Sequence, residues 1–364
     1  MFPQDILTFS QKLEFLLSHS HDSLPNVKST INALKDELPS LLSLAFDDEN
    51  ENALFEVHKA LFLIYETRLA YPQSIICIHQ DSIWLLEICK LIESAFLQFE
   101  FNLIKDVIPP RENLITPESV CSWFQEQAFK LSNDDLLLMR FFEETATIDQ
   151  FNQFILTDAT LNYRFFDTLA LNQVYISESV KLEITRNMWD ECGNGVSNKS
   201  HTQQLTDMLS NVGLIKPEFP VWSNWRPYSG YNLHFCFVFN RRYHFRGIAS
   251  SAMPEIFDPV RNKSIVAGLE RLYPDSRSRC EYFYNHIEID VEHGLNWLKH
   301  VIYSIVSDCP LAGIDLVIGG AMRMEVMRRY NYYLASLFGL GQPEETMTSK
   351  WGEMSSRAES YAKN

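Results

Sequence analysis

Apolar residues recur at helical spacing along almost the whole chain. Separations of three and four residues, or their sums, dominate between sparse glycines and prolines. This pattern predicts an all-α protein. The predicted helices span residues 4–18, 28–45, 50–71, 80–106, 117–131, 133–145, 148–173, 177–192, 200–213, 230–256, 259–272, 276–306 and 310–338.

Two prolines in the stretch VIPPREN interrupt the helical pattern at residues 107–113. We therefore predict an accessory helical region at residues 1–107 and a main helical domain at 116–340. The remaining residues, 341–364, are predicted to form a polar tail. A chain of 364 residues is long enough for such a division, with a proper hydrophobic core.

The net charge, the amino terminus and the cysteine spacing indicate which classes of partner and which cellular location to expect. Its 47 acidic and 31 basic residues give a net charge of −16, which disfavours nucleic acid. The amino terminus lacks the pattern of a secretory signal, and no apolar run approaches the ~20 residues of a membrane span. Seven cysteines occur without a CxxC pair, so we expect neither a disulfide framework nor a thiolate zinc site. These features predict a cytoplasmic protein without membrane or nucleic-acid partners.

The stretch HIEIDVEH, residues 286–293, has two competing interpretations. Its strict alternation of polar and apolar residues is typical of a strand with its polar side chains in water. The surrounding residues favour a helix, because apolar positions there recur at helical spacing. On a helix, His286, Asp290 and His293 fall within ~60° of one another, so two imidazoles and a carboxylate share one face. The alternative is that the two histidines only make core or surface hydrogen bonds.

The stretch DECGNGVSNKSH, residues 190–201, contains a second group of candidate ligands. On an unbroken helix Glu191 and His201 would lie ~15 Å apart, too far to bind one metal ion. The two glycines of GNG allow the chain to bulge out and return, which would bring the two side chains together. The alternative is a helix that ends at Gly193, followed by a new helix that Asn198 or Ser200 caps.

Histidines and carboxylates on several helices are the ligands that a non-haem iron or manganese pair requires. Together with FILTDATLNYRFFDTLALNQV, the two stretches make residues 130–340 resemble the iron-containing redox enzymes of the haem-oxygenase-like diiron oxidase and oxygenase superfamily. The resemblance implies a haem-oxygenase-like helical bundle. It also implies metal ligands at Asp158, Glu191, His201, Glu255, His286, Asp290 and His293. Asp158 stands where the family usually has glutamate, so Glu144 and Glu183 are its alternatives.

The resemblance further implies a function. Two iron ions, or manganese in their place, would activate O2 to oxidise a small molecule such as an amino acid, an amine or a fatty acid. Hydroxylation, desaturation and C–C cleavage are the expected reaction types, and a homodimer and an external electron donor are compatible with them. The alternatives are a helical protein-interaction module without catalysis and a haem-binding protein of the same fold. Motifs for a Ser-His-Asp hydrolase, a kinase or a nicotinamide dehydrogenase are missing from the sequence.

Overall fold

The computed structural model describes residues 7–20, 27–216, 220 and 222–340, without the side chains of Asn133, Glu288 and Asp290. Within these residues the chain forms helices and no strand, which confirms the predicted all-α fold. The α-helices are α1 Phe9–Leu17, α2 Val27–Phe46, α3 Glu51–Leu69, α4 Ile83–Ile104, α5 Pro117–Asp134, α6 Leu136–Glu144, α7 Ile148–Asn162, α8 Phe165–Asn172, α9 Glu178–Glu191, α10 His201–Asn211, α11 Trp225–Phe239, α12 His244–Leu272, α13 Ser276–Arg279, α14 Glu281–Asn296, α15 Tyr303–Asp308 and α16 Ala312–Leu337.

The helices form two compact units. The first consists of residues 1–102 and 222–236, and the second of residues 103–221 and 237–364. In the first unit, the His58 ring stacks on Trp225, with ring centroids 5.5 Å apart. Glu51 accepts a hydrogen bond from the Trp225 indole at 2.9 Å, so residues of α3 and α11 pair within this unit. The domain limits expected from the sequence stay a prediction.

The second unit is organised around α12, which packs against α14, α16 and α6. Phenylalanines fill its core: Phe142 packs on Phe151 and Phe154, and Phe154 stacks on Phe283 of α14. These contacts explain the apolar periodicity of the sequence, since they bury one face of each helix. They also fix α14, the helix that contains the HIEIDVEH stretch.

Helix α12 ends at Leu272 as predicted, but it differs from the prediction in where it begins and in its continuity. The sequence suggested helices at 230–256 and 259–272, but the chain breaks earlier, between α11 and α12, and then continues through Pro254 and Pro259. Pro259 has no N–H, so it cannot bond the carbonyl of Glu255 one turn before. A single long helix therefore carries Glu255, whose side chain is buried, and Pro259 leaves the backbone carbonyl of Glu255 without its usual helical donor.

None of the described helices combines the length and the apolar composition needed to span a membrane.

Candidate metal centre

The GNG stretch forms the bulge that the sequence suggested. Gly193, Asn194 and Gly195 all adopt left-handed backbone conformations, with φ of 62°, 54° and 82°. A Cβ on Gly193 would lie 2.3 Å from the backbone carbon of Lys199, so only glycine allows this close approach. The chain thus leaves α9, folds back on itself and enters α10 at His201. The alternative interpretation also holds in part, because α9 ends just before Gly193 and the Ser200 side chain caps α10 by accepting a hydrogen bond from the Gln203 N–H at 3.3 Å.

The bulge brings Glu191, the last residue of α9, beside His201, the first of α10. His201 Nδ1 lies 2.8 Å from Glu191 Oε2, and both side chains are buried. His286 of α14 completes the group, with its ring centroid 4.3 Å from that of His201. Ligand atoms of these three residues all lie within 4.8 Å of one another, close enough to hold a metal ion.

Glu255 and His293 form a second close pair. His293 Nδ1 lies 3.2 Å from Glu255 Oε2, and both side chains are buried. Helices α12 and α14 approach closely here, and Gly294 permits this approach, since a Cβ at this position would lie only 2.7 Å from the backbone oxygen of Glu255. Residues of α9 contact both members of the pair. Asn187 donates a hydrogen bond to Glu255 Oε1 at 3.1 Å, and Asp190 Oδ2 lies 3.1 Å from His293 Nε2.

The histidines of the site have different proton affinities. Burial lowers the pKa of His286 to about 3, so this ring is neutral near pH 7. Burial also acts to lower the pKa of His293, but the Glu255 and Asp190 carboxylates outweigh it and raise the value to about 9. The Glu191 carboxylate raises the pKa of His201 against burial in the same way. For Glu191 burial raises the pKa, but His201 and the neighbouring histidines lower it overall, so this carboxylate stays ionised.

Asp158 occupies a different ion pair. Its Oδ1 lies 3.1 Å from Arg261 Nη2 and accepts a hydrogen bond from the Tyr330 hydroxyl at 3.2 Å. Its Oδ2 accepts a hydrogen bond from Asn162 at 3.1 Å. Both oxygens therefore already have partners, and Asp158 does not belong to the group of Glu191, His201 and His286. Its role as the first-helix ligand remains a prediction.

Three other carboxylates were candidate ligands: Asp290 on α14, and Glu183 and Glu144 as alternatives to Asp158. Asp290 lies on α14 one turn after His286, but its side chain is outside the described part of the chain. The two alternatives to Asp158 have other surroundings: Glu183 forms an ion pair with Arg186 at 2.8 Å, and Glu144 is exposed at the end of α6. Asn187, which contacts Glu255, is a site residue that no sequence motif indicated; its position one turn before Glu191 is the one signal that could have identified it.

The chemistry of the donor atoms fits non-haem iron. Three imidazoles and two carboxylates converge from α9, α10, α12 and α14, and mixed nitrogen and oxygen ligands of this kind suit iron and manganese. Within the described part of the chain, His201 Nδ1 and Glu255 Oε2 are buried and lie 2.8 Å from Glu191 Oε2 and 3.2 Å from His293 Nδ1, but neither contact has the geometry of a good hydrogen bond. Buried polar atoms normally make well-aligned hydrogen bonds, and a cation bound between these side chains would coordinate them instead.

Comparison with known proteins supports this interpretation. The sequence model of a family described as iron-containing redox enzyme matches residues 152–328, which include all seven ligands that the resemblance suggested. No curated protein matches the chain. The match supports the haem-oxygenase-like superfamily for this part of the chain, with the iron-containing redox enzymes as the family that it resembles.

Proposed function

We propose that the chain is a non-haem diiron enzyme that uses O2 to oxidise a small organic molecule. The observation that carries the proposal is the convergence of Glu191, His201, His286, Glu255 and His293 in one buried region of the second unit. Asp290, on the same face of α14, would be the sixth ligand. We leave Asp158 out of the proposed set because Arg261, Tyr330 and Asn162 occupy its oxygens.

Two metal ions are proposed because the ligands fall into two neighbouring groups. Glu191, His201 and His286 form one group, and Glu255 and His293 form the other. Carboxylates can bridge and neutralise two divalent cations, whereas imidazoles complete each coordination shell.

The residues of the site would prepare it for metal binding and exclude water. His286 is neutral near pH 7, so it can bind a cation without releasing a proton. Its Nδ1 lies 2.6 Å from the backbone oxygen of Tyr282, which leaves Nε2 for the metal. Buried Tyr282 packs its ring on His286 and His201, with centroid distances of 4.2 and 6.4 Å, and helps to shield these ligands from water. When bound, the two irons would supply electrons to O2.

The substrate and reaction type are proposed only as classes. An amino acid, an amine or a fatty acid, changed by hydroxylation, desaturation or C–C cleavage, fits a buried site of this chemistry. An external electron donor and a homodimer belong to the same proposal. Cytoplasmic location and the lack of nucleic-acid and membrane partners also stay predictions.

Anaerobic titration with Fe(II) tests the proposal. We expect close to two irons per chain, because six ligands of this type suffice for a dinuclear site. His286→Ala and His201→Ala should each reduce that number. His19→Ala, which replaces an exposed histidine of the first unit, is the matched control and should bind iron as the unaltered protein does.

Two results would contradict the diiron proposal. Unchanged iron in both His286→Ala and His201→Ala would exclude these residues as ligands, and iron-free protein under all conditions would favour the interaction-module alternative. A Soret absorption band in the purified protein would instead indicate haem. Haem would need one axial histidine in apolar surroundings, whereas a carboxylate oxygen lies within 3.2 Å of both His201 and His293.

A further inference from the structure

Asp190 lies between the bulge and the proposed iron site. Its Oδ2 is 3.1 Å from His293 Nε2, and its Oδ1 accepts a hydrogen bond from the side-chain amide of Asn194 at 3.1 Å. The two oxygens thus have different partners, one on α14 and one in the bulge. The opposite ring nitrogen of His293, Nδ1, faces Glu255 at 3.2 Å.

This arrangement assigns different functions to the two nitrogens of His293. A histidine that binds a metal through one nitrogen usually donates the N–H of the other to a carboxylate, which fixes the ring orientation and its tautomer. Nε2 faces Asp190 and Nδ1 faces Glu255, so Nδ1 is the nitrogen directed at the other ligands. The contact with Asp190 supplies the orienting carboxylate.

We propose that Asp190 is a positioning residue that orients His293 for metal binding, and that Asn194 in turn holds Asp190. The inference rests on the proposed iron site. It gives the bulge a second purpose: besides joining Glu191 to His201, the bulge presents the Asn194 amide to Asp190. Asn194 has φ of 54° and ψ of 36°, a left-handed conformation that asparagine tolerates better than most residues do.

Helix α9 would then provide one ligand and two residues that hold ligands of other helices. Glu191 is the ligand, Asp190 holds His293 of α14, and Asn187 holds Glu255 of α12 through a 3.1 Å hydrogen bond. Asn187 and Asp190 lie three residues apart and therefore on the same face of the helix. A single rigid helix thus sets the positions of side chains from both neighbouring helices.

Co(II) binding to the full chain tests the inference, with affinity, stoichiometry and visible d–d absorption measured together. Asp190→Ala should weaken Co(II) binding by ~10–100-fold and change the absorption, since lost orienting partners typically cost that much. Asp190→Asn keeps an acceptor for the His293 N–H and should recover part of the affinity. Asn194→Gly keeps a residue that accepts positive φ, removes the amide, and should give a smaller loss in the same direction.

Asp207→Ala is the matched control, because Asp207 is an exposed aspartate on α10 whose Oδ1 accepts a hydrogen bond from the neighbouring Gln203 side chain at 2.8 Å. Circular dichroism should show unchanged helix content in each variant. Wild-type affinity and absorption in both Asp190→Ala and Asn194→Gly would overturn the inference, and so would loss of a whole metal ion in Asp190→Asn, which would make Asp190 a ligand. If the unaltered chain binds no metal, the proposed function itself fails.

Discussion

In each of two histidines of the site, the contact made by one ring nitrogen determines which nitrogen remains available to the site. Nδ1 of His286 lies 2.6 Å from a backbone oxygen, and Nε2 of His293 lies 3.1 Å from Asp190, so each ring keeps the opposite nitrogen for the site. The spacing of His286 and His293 on a helix could be predicted from the sequence. The partners of the other nitrogens could not, because they come from contacts between helices.

Asp135 is a buried carboxyl outside the proposed site, and the sequence did not indicate its burial. It is 2% exposed, lies between α5 and α6, and accepts a hydrogen bond from Asn331 at 2.6 Å. Burial raises the pKa of its carboxyl from 3.8 to about 7. A carboxyl with a higher pKa in the folded state stabilises the fold only while protonated. This contribution to the free energy of unfolding is therefore lost as pH rises from about 4 to about 7.

We predict that Asp135→Asn makes the protein more stable at pH 8, by roughly 1–3 kcal/mol, because each pKa unit corresponds to about 1.4 kcal/mol. The amide keeps an oxygen for Asn331 and carries no charge. The difference from the unaltered protein should shrink as pH falls toward 4. Urea unfolding at several pH values measures it, with Asp207→Asn, an exposed aspartate, as control. A stability difference that stays constant with pH would contradict the prediction.

At the scale of elements, the bulge between α9 and α10 is the clearest case of a motif that could be predicted from the sequence. Two glycines between a glutamate and a histidine suggested that the chain returns on itself, and Gly193 does approach the backbone of Lys199. Other elements depended on tertiary contacts. α12 continues through two prolines because it packs against α14, α16 and α6, which outweighs their local cost.

The end of α14 is another element that the sequence pattern could not indicate. The chain continues from α14 into a π-helix at Trp297–Ile302 before α15 begins. Such segments insert an extra residue per turn and often occur near functional sites. The helical period predicted one helix over 276–306, because a single inserted residue shifts the apolar positions too little to be recognised without the structure.

Substitution of Gly193 by alanine tests the bulge at this scale. The added Cβ would lie within 2.6 Å of three backbone atoms of residues 199–200, so the bulge must open and Glu191 must move away from His201. We predict reduced Fe(II) stoichiometry with nearly unchanged helix content by circular dichroism. Gly213→Ala is the control: Gly213 also has positive φ, at 80°, but a Cβ there would meet nothing within 4 Å.

Comparison of Gly193→Ala with Gly213→Ala separates the effect of backbone strain from the effect of the steric clash between the new Cβ and the backbone of residues 199–200. Both substitutions place alanine at positive φ, which costs a similar amount in each, but only Gly193→Ala moves the ligands. Equal iron loading in the two variants would mean that the bulge does not bring Glu191 and His201 together. Loss of iron in both would mean that general destabilisation, not the bulge, decides metal binding.

At the scale of the whole molecule, the proposed ligands all belong to one of the two units. Residues 103–221 and 237–364 contain Glu191, His201, Glu255, His286, Asp290 and His293, whereas α1 to α4 contribute none. The sequence separated an amino-terminal region without clustered ligands from a later region with them. It could not indicate that residues 222–236 belong with the first unit, since that depends on contacts such as Trp225 with Glu51.

This distribution predicts where metal binding stabilises the molecule. A ligand that binds only the folded state stabilises it by about 2.7 kcal/mol at a hundredfold excess over its dissociation constant. Hydrogen exchange with and without Mn(II) should therefore slow in α9, α10, α12 and α14 and change little in α1 to α4. The helices of the site should respond most, because opening any of them separates ligands that the cation holds together. His286→Ala, which removes one of the proposed ligands, should weaken the effect. Equal slowing in both units would show that metal acts on the whole chain or at other positions, and would contradict a site confined to the second unit.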